Sequence, residues 1–309
     1  MTRRAVLTVV ASLLGATPAQ AQFGVWAADS MLATGRLAAA ESAYYAAARA
    51  RPRDPAVRAA LGRFLAARGA TRVGAVLLEE ARQFGGDSTS IARALVPMYE
   101  HLGDFAAIDT LRPIVISPIA KRRAHWLRDR RPAASFQDSV VLLTYRPIAD
   151  GQGLGTIIMR LGKVEVPAII DPSVSGLVLP PPMLRDVRTF GDDASVAVVD
   201  ALHLGGIVFS NIPATVDAAE TKARIGFDVI AGYSPGFDPA HGILTLRRVE
   251  RRSPPRRGSR IPALFDDNGL RLLVGDRWQR TGGAMPAMLL ATRAWMWDAR
   301  RGDVVLLGP

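Results

Sequence analysis

Three glycines, Gly35, Gly69 and Gly103, stand 34 residues apart, and each closes one apolar helical stretch and precedes another. A period of this length commits a chain to a stacked array, because each helix pair leaves an apolar side that the next pair must cover. Ala40 and Ala47 supply small side chains where paired helices approach, Tyr44 fills the space between them, and Pro52 stops the second helix. Leu61-Gly62 and Ala81 mark a second unit, and Tyr99, Ala106 and Ala107 a third.

The order small, large aromatic, small, proline in the first unit resembles the tetratricopeptide pattern, and the resemblance covers residues 24–115. It implies either a concave groove for a peptide or protein, with Tyr45 as the side chain to watch there, or an array that positions the next domain. Residues 116–135 read as a helix and basic linker carrying Lys121-Arg122-Arg123, Arg128 and Arg130-Arg131. These charges make either a solvated face or a contact for an acidic partner or an anionic envelope surface.

Ahead of the repeats, Arg3 and Arg4, the apolar residues 5–14 and Ala19-Gln20-Ala21 follow the order of a secretory signal, with cleavage expected near Ala21. An exported protein, periplasmic or secreted, is the expectation. The chain has no cysteine, which excludes disulfides, a thiolate nucleophile and a zinc ribbon. The formal charge is +11, and because the lysines are Lys121, Lys163 and Lys222, 36 of the 39 basic residues are arginines. An Arg- and Ala-rich, Lys-poor composition of the kind GC-rich coding produces accounts for this charge. Nucleic acid is not expected as a partner, since no aromatic-interleaved basic strand appears.

From residue 136 the apolar period changes from helical to alternating. Residues 156–161 and 164–170 flank a Gly162-Lys163 turn, and residues 201–204 and 207–216 flank a Gly205-Gly206 turn, so two hairpins are predicted. Residues 176–179, 229–232, 242–246 and 269–274 read as further strands. The predicted fold is multidomain α plus β: a signal peptide at 1–21, helical repeats at 22–115, the linker at 116–135, a β domain at 136–250, and an Arg/Pro linker with a partial second lobe or β extension at 251–309.

Val166-Pro167-Ala168-Ile169-Ile170-Asp171, followed by Ser175-Gly176-Leu177-Val178-Leu179-Pro180, is similar to the strands entering and leaving the active turn of retropepsin-like (clan AA) aspartic peptidases. Asp228-Val229-Ile230-Ala231-Gly232 resembles the apolar segment crossing behind that turn, which implies support roles for Ile230, Ala231 and Gly232. Where the family has Asp-Thr-Gly, this chain has Asp171-Pro172-Ser173. Pro172 removes a hydroxyl and an N–H, and Ser173 adds a side chain in place of glycine. The family's chemistry needs two carboxylates about 3 Å apart sharing one proton. Asp171 is the single catalytic candidate.

Laying Met288-Leu289-Leu290-Ala291-Thr292-Arg293-Ala294 on residues 168–174 puts Ala291 in the Asp position, with Thr292 and Arg293 completing a degenerate second motif. The competing reading is a β extension packed through Trp295 and Trp297. Neither supplies an acid. His101, His125, His203 and His241 show no i, i+4 pair, so no metal or cofactor is expected. The sequence therefore reads as a catalytically impaired, peptidase-like protein that binds a protein or peptide. Its alternative is an active endopeptidase pairing two Asp171 side chains across a homodimer.

Overall fold

The structure is a computed structural model describing residues 18–111, 116–148, 153–190, 193–248, 258–266, 269–281, 284–298 and 301–307. Arg3, Arg4 and residues 5–14 of the signal lie outside the described residues, as do residues 249–257 of the Arg/Pro linker.

The N-terminal half is helical: α1 (Pro18–Ala33), α2 (Leu37–Ala50), α3 (Pro55–Ala67), α4 (Thr71–Gln83), α5 (Ser88–Leu102), α6 (Phe105–Thr110) and α7 (Pro118–Leu127). Gly35, Gly69 and Gly103 occupy the turns inside three successive pairs with φ of 73°, 88° and 65°. That left-handed conformation is one glycine adopts without a Cβ penalty, which is why the chain reverses at these positions. Asp54, Asp87 and Ser117 cap the starts of α3, α5 and α7 through their side-chain oxygens. Gly62 and Gly74 let α3 and α4 touch: a Cβ on Gly62 would lie 2.9 Å from the Gly74 carbonyl oxygen. Ala40 is fully buried, and Tyr44 stacks on Phe64 with ring centroids 4.9 Å apart.

The basic stretch of α7 is neither free nor purely solvated. Arg123 pairs with Glu100 at 2.6 Å, Lys121 with Asp109 at 3.5 Å, and Arg128 with Asp109 at 3.5 Å. Among the described residues no helix is long and apolar enough to cross a membrane.

The β region comprises β1 (Ala133–Phe136), β2 (Val140–Pro147), β3 (Gly155–Leu161), β4 (Val164–Asp171), β5 (Leu177–Leu179), β6 (Arg188–Phe190), β7 (Asp193–Leu204), β8 (Ile207–Val216), β9 (Ala223–Gly226), β10 (Gly236–Asp238) and β11 (Ile243–Arg247), with helix α8 (Phe227–Ala231) after β9. Strands β3, β4, β9, β5, β8 and β7 pair in that order, and β7 returns to β3 through Arg160↔His203. The sheet thus closes into a small barrel, which removes its edges. The β4/β9 and β5/β8 contacts are parallel. Residues 229–232 are not the expected strand: Val229, Ile230 and Ala231 lie in α8, and the strand is Ala223–Gly226 just before it. A short apolar run carries no period that separates the two states.

The C-terminal residues form β12 (Ser259–Asp266), β13 (Gly269–Val274), β14 (Arg277–Arg280), α9 (Ala284–Thr292), β15 (Trp295–Asp298) and β16 (Asp303–Leu306). The order α9, β15, β16 repeats α8, β10, β11 at a shift of 60 residues. Phe237, Asp238 and Gly242 are answered by Trp297, Asp298 and Gly302, and the two glycines have φ of 65° and 62°. The two hairpins join through β10 and β15, with Gly236 opposite Met296. Trp295, fully buried, stacks on Phe237 at 4.1 Å, and burying such an indole contributes about 3 kcal/mol.

This corrects the expected register for the second motif. Ala291 and Thr292 belong to a helix, Thr292 bonding back to the Met288 carbonyl at 2.8 Å, and Arg293 comes just after the helix end. None of the three occupies a strand-to-turn position equivalent to Asp171, because the apolar run 286–290 is spent on the counterpart of α8.

Helices and strands are fastened at both ends. Arg68, leaving α3, donates to the Ala263 carbonyl at 2.7 Å and the Gly302 carbonyl at 2.5 Å, and pairs with Asp303 at 3.0 Å. Trp278 of β14 donates its indole N–H to the Leu32 carbonyl at 2.6 Å. At the other end Val196 and Val198 of β7 join the core of α3 to α7. The array therefore bridges the barrel.

Candidate functional site

Strand β4 ends at Asp171, the chain turns through Pro172, Ser173, Val174 and Ser175, and Gly176 leads it into β5. Gly176 has φ of 66°, and a Cβ there would fall 2.4 Å from the Pro213 carbonyl oxygen, so the residue must be glycine for the turn to close on β8.

Asp171 is buried, with 5% of its surface exposed. Its Oδ1 accepts the Ser173 N–H at 2.8 Å and the Ser173 hydroxyl at 2.6 Å, and its Oδ2 accepts Arg224 Nη1 at 2.5 Å. Arg224 is carried by β9, parallel to β4, and also pairs with Glu220 at 3.0 Å. Desolvation pulls the guanidinium down, and the bonds to Asp171 and Glu220 outweigh it and hold Arg224 above its ordinary value. Among the described residues no other carboxyl group is hydrogen-bonded to Asp171. A carboxylate locked to a guanidinium has a partner that cannot exchange a proton. Ser173 spends both its backbone N–H and its hydroxyl on closing this lock.

The other acid of the turn is Asp228, at the start of α8. It accepts the Ser175 hydroxyl at 2.8 Å, the Gly176 N–H at 3.1 Å and the Val229 N–H at 3.0 Å. Burial pushes its carboxyl up, opposed by these bonds and by His101. His101, at the end of α5, is lowered by burial and lies close enough for Asp228 to oppose that shift. Spacing in the sequence does not single out this histidine; the docking of α5 on the barrel places it in the cavity wall near Asp228. Arg224 and Asp228 were likewise invisible as site residues: one sits on a strand the pattern does not reveal, the other opens a segment legible as packing.

Pro172, Ser173, Val174 and Ser175 face a cavity of about 500 Å³ whose opposite wall is formed by α3 and α5, through Phe64, Met98 and His101. Phe265 of β12 and Trp297 of β15 close one side. Asp171 is not part of the lining; it points behind the turn toward β9. Of the expected support residues, Ala231 and Gly232 line the cavity and Ile230 is buried beneath it. Tyr44 reaches the lining while Tyr45 stays outside it and exposed, which corrects the expectation that Tyr45 marks the groove. The turn is also covered from the C-terminal side, where a Cβ on Gly269 would approach the Pro172 carbonyl oxygen to 2.6 Å. No group of three or more potential metal ligands occurs among the described residues.

No protein-family model matches the chain, and no curated protein sequence matches it. Among solved structures, it is similar to a retropepsin-like aspartic protease from Rickettsia conorii, at 14% identity over 37% of this chain and 92% of that one, with a TM-score of 0.26.

Proposed function

We propose that this chain is an exported, non-catalytic relative of the retropepsin-like peptidases that binds a peptide segment in the cavity between its helical array and the Pro172–Ser175 turn. The observation that carries this reading is the Asp171–Arg224 ion pair, closed by Ser173 on the remaining carboxylate oxygen. Water activation requires a carboxylate free to take a proton and a second to give one. Here the acid is neutralised by an arginine, turned away from the cavity, and without a carboxyl partner among the described residues.

The helical pairs fit a tetratricopeptide-like array, and the 34-residue glycine spacing with left-handed turns supports it. Its inner wall and the turn share one cavity, so a bound segment would touch both. The α9–β15–β16 unit is read as a shortened second lobe lacking an active turn. Strand β13, which precedes that unit, covers the turn of the first lobe through Gly269. This seal opposes the homodimeric alternative, since two Asp171 side chains could meet only after it opened. The ion pairs of α7 likewise oppose a role for that helix in holding an anionic surface.

Hydrogen exchange with an added library of unfolded peptides tests the reading. Protection of residues 172–176 and of the end of α5, with every peptide recovered at its original mass, supports it. Peptide products, or protection confined to the outer surface of the array, would refute it.

A further inference from the structure

We infer that the cavity selects peptides presenting a positively charged side chain between apolar ones, with Asp228 as the group that pairs with the charge. The inference rests on the peptide-binding reading above and adds the chemistry of the ligand.

The chain carries a net charge of +11, yet its cavity is lined by Asp29, Glu100, Asp228 and Asp266 against Arg63 and Arg271. Several of these charges are already committed. Glu100 is paired with Arg123, Asp266 with Arg271, and Asp29 accepts the Tyr44 hydroxyl. Asp228 differs. Its partners are a serine hydroxyl and two backbone N–H groups, and among the described residues no lysine or arginine pairs with it. The nearby titratable group is His101, which burial keeps toward its neutral form. A desolvated carboxylate without a full counter-charge gains more from an incoming cation than one on the surface would.

The surroundings specify the rest of the ligand. Phe265, Trp297, Met98 and Phe64 give the lining apolar body, and Phe265 stands edge-on to His101 with centroids 6.4 Å apart. A volume of about 500 Å³ holds a few side chains and no folded domain. Cations drawn by surface charge alone would be repelled by a chain this basic, so selection of a lysine must come from the local carboxylate.

The test uses three acetylated, amidated tetrapeptides, Leu-Phe-X-Leu, with X lysine, norleucine or glutamate, titrated calorimetrically into the whole protein. The lysine peptide should bind about tenfold tighter than the norleucine peptide, with glutamate weakest. The preference should persist at high salt, because a buried pair is little screened. Asp228→Asn should abolish the preference, read as the ratio of lysine-peptide to norleucine-peptide affinity within that variant; a ratio kept near tenfold would overturn the assignment to Asp228. Equal affinities in the unaltered protein, or a preference for glutamate, would overturn the charge selection and leave peptide binding standing. Absence of binding by all three would overturn both.

Discussion

Arg224 Nη1 lies 2.5 Å from Asp171 Oδ2, across the parallel contact of β4 with β9, and the Ser173 hydroxyl and N–H take the other oxygen. In the reading proposed above, Asp171 is a structural anion. It holds β9 to the turn in the manner of a buried ion pair, whose weight shows when one member is removed and the other is left uncompensated.

Asp171→Ala should accordingly destabilise the protein, by about 3 kcal/mol, because Arg224 keeps Glu220 but loses its buried counter-charge. Arg224→Met should cost a similar amount, and the double variant less than the sum of the two. Chemical denaturation of the four proteins measures this, and strictly additive losses would contradict the pairing.

Gly269→Ala should open the cover of the turn. The glycine has φ of 81° and sits against the Pro172 carbonyl oxygen, so alanine meets both a backbone penalty of about 1–2 kcal/mol and a clash. Unfolding midpoints, with hydrogen exchange at residues 171–176, report the effect; unchanged exchange would show that this contact does not seal the turn.

Arg68→Ala should loosen the array from the C-terminal hairpin. Its guanidinium serves two carbonyl groups and Asp303, and charged hydrogen bonds of this kind are worth about 1.5–3 kcal/mol each. Faster exchange in residues 302–306, with exchange in β3 and β4 unchanged, is the expected pattern.

Asp228 gives a pH dependence of stability whose sign can be worked out. Burial raises its carboxyl above the ordinary 3.8, so the folded protein binds more protons than the unfolded chain from about that pH upward to the raised value. Stability from this group is full below 3.8 and is lost as pH rises through the folded value. His101 works in the opposite direction, being lowered from 6.5, and because the Asp228 charge limits that lowering, Asp228→Asn loses more through His101 as pH falls than the native protein does. The native protein should therefore gain on Asp228→Asn as pH falls from neutral toward 4. A difference that stays constant with pH would contradict the burial of this carboxyl.

The hairpins β3–β4 and β7–β8 were legible because alternation on either side of Gly162-Lys163 and Gly205-Gly206 fixes both strands and turn. The three repeat glycines were legible for the same kind of reason, a backbone need that one residue type meets. Residues 223–231 were not: apolar and short, they fit strand and helix equally, and the strand hidden there carries Arg224. In the C-terminal part the informative signal was the spacing Phe237-Asp238 to Gly242, repeated as Trp297-Asp298 to Gly302, rather than the likeness of two apolar runs. The cavity itself depends on where Arg68 and Trp278 anchor the array, and no local pattern encodes such a docking.

The central claim is that Asp171 does no chemistry. Unfolded protein substrates incubated from about pH 3 to pH 6, the range in which paired carboxyls share a proton, test it most directly when the native protein is set beside Asp171→Asn. The account predicts intact substrate with both. Cleavage by the native protein that disappears in Asp171→Asn would contradict it.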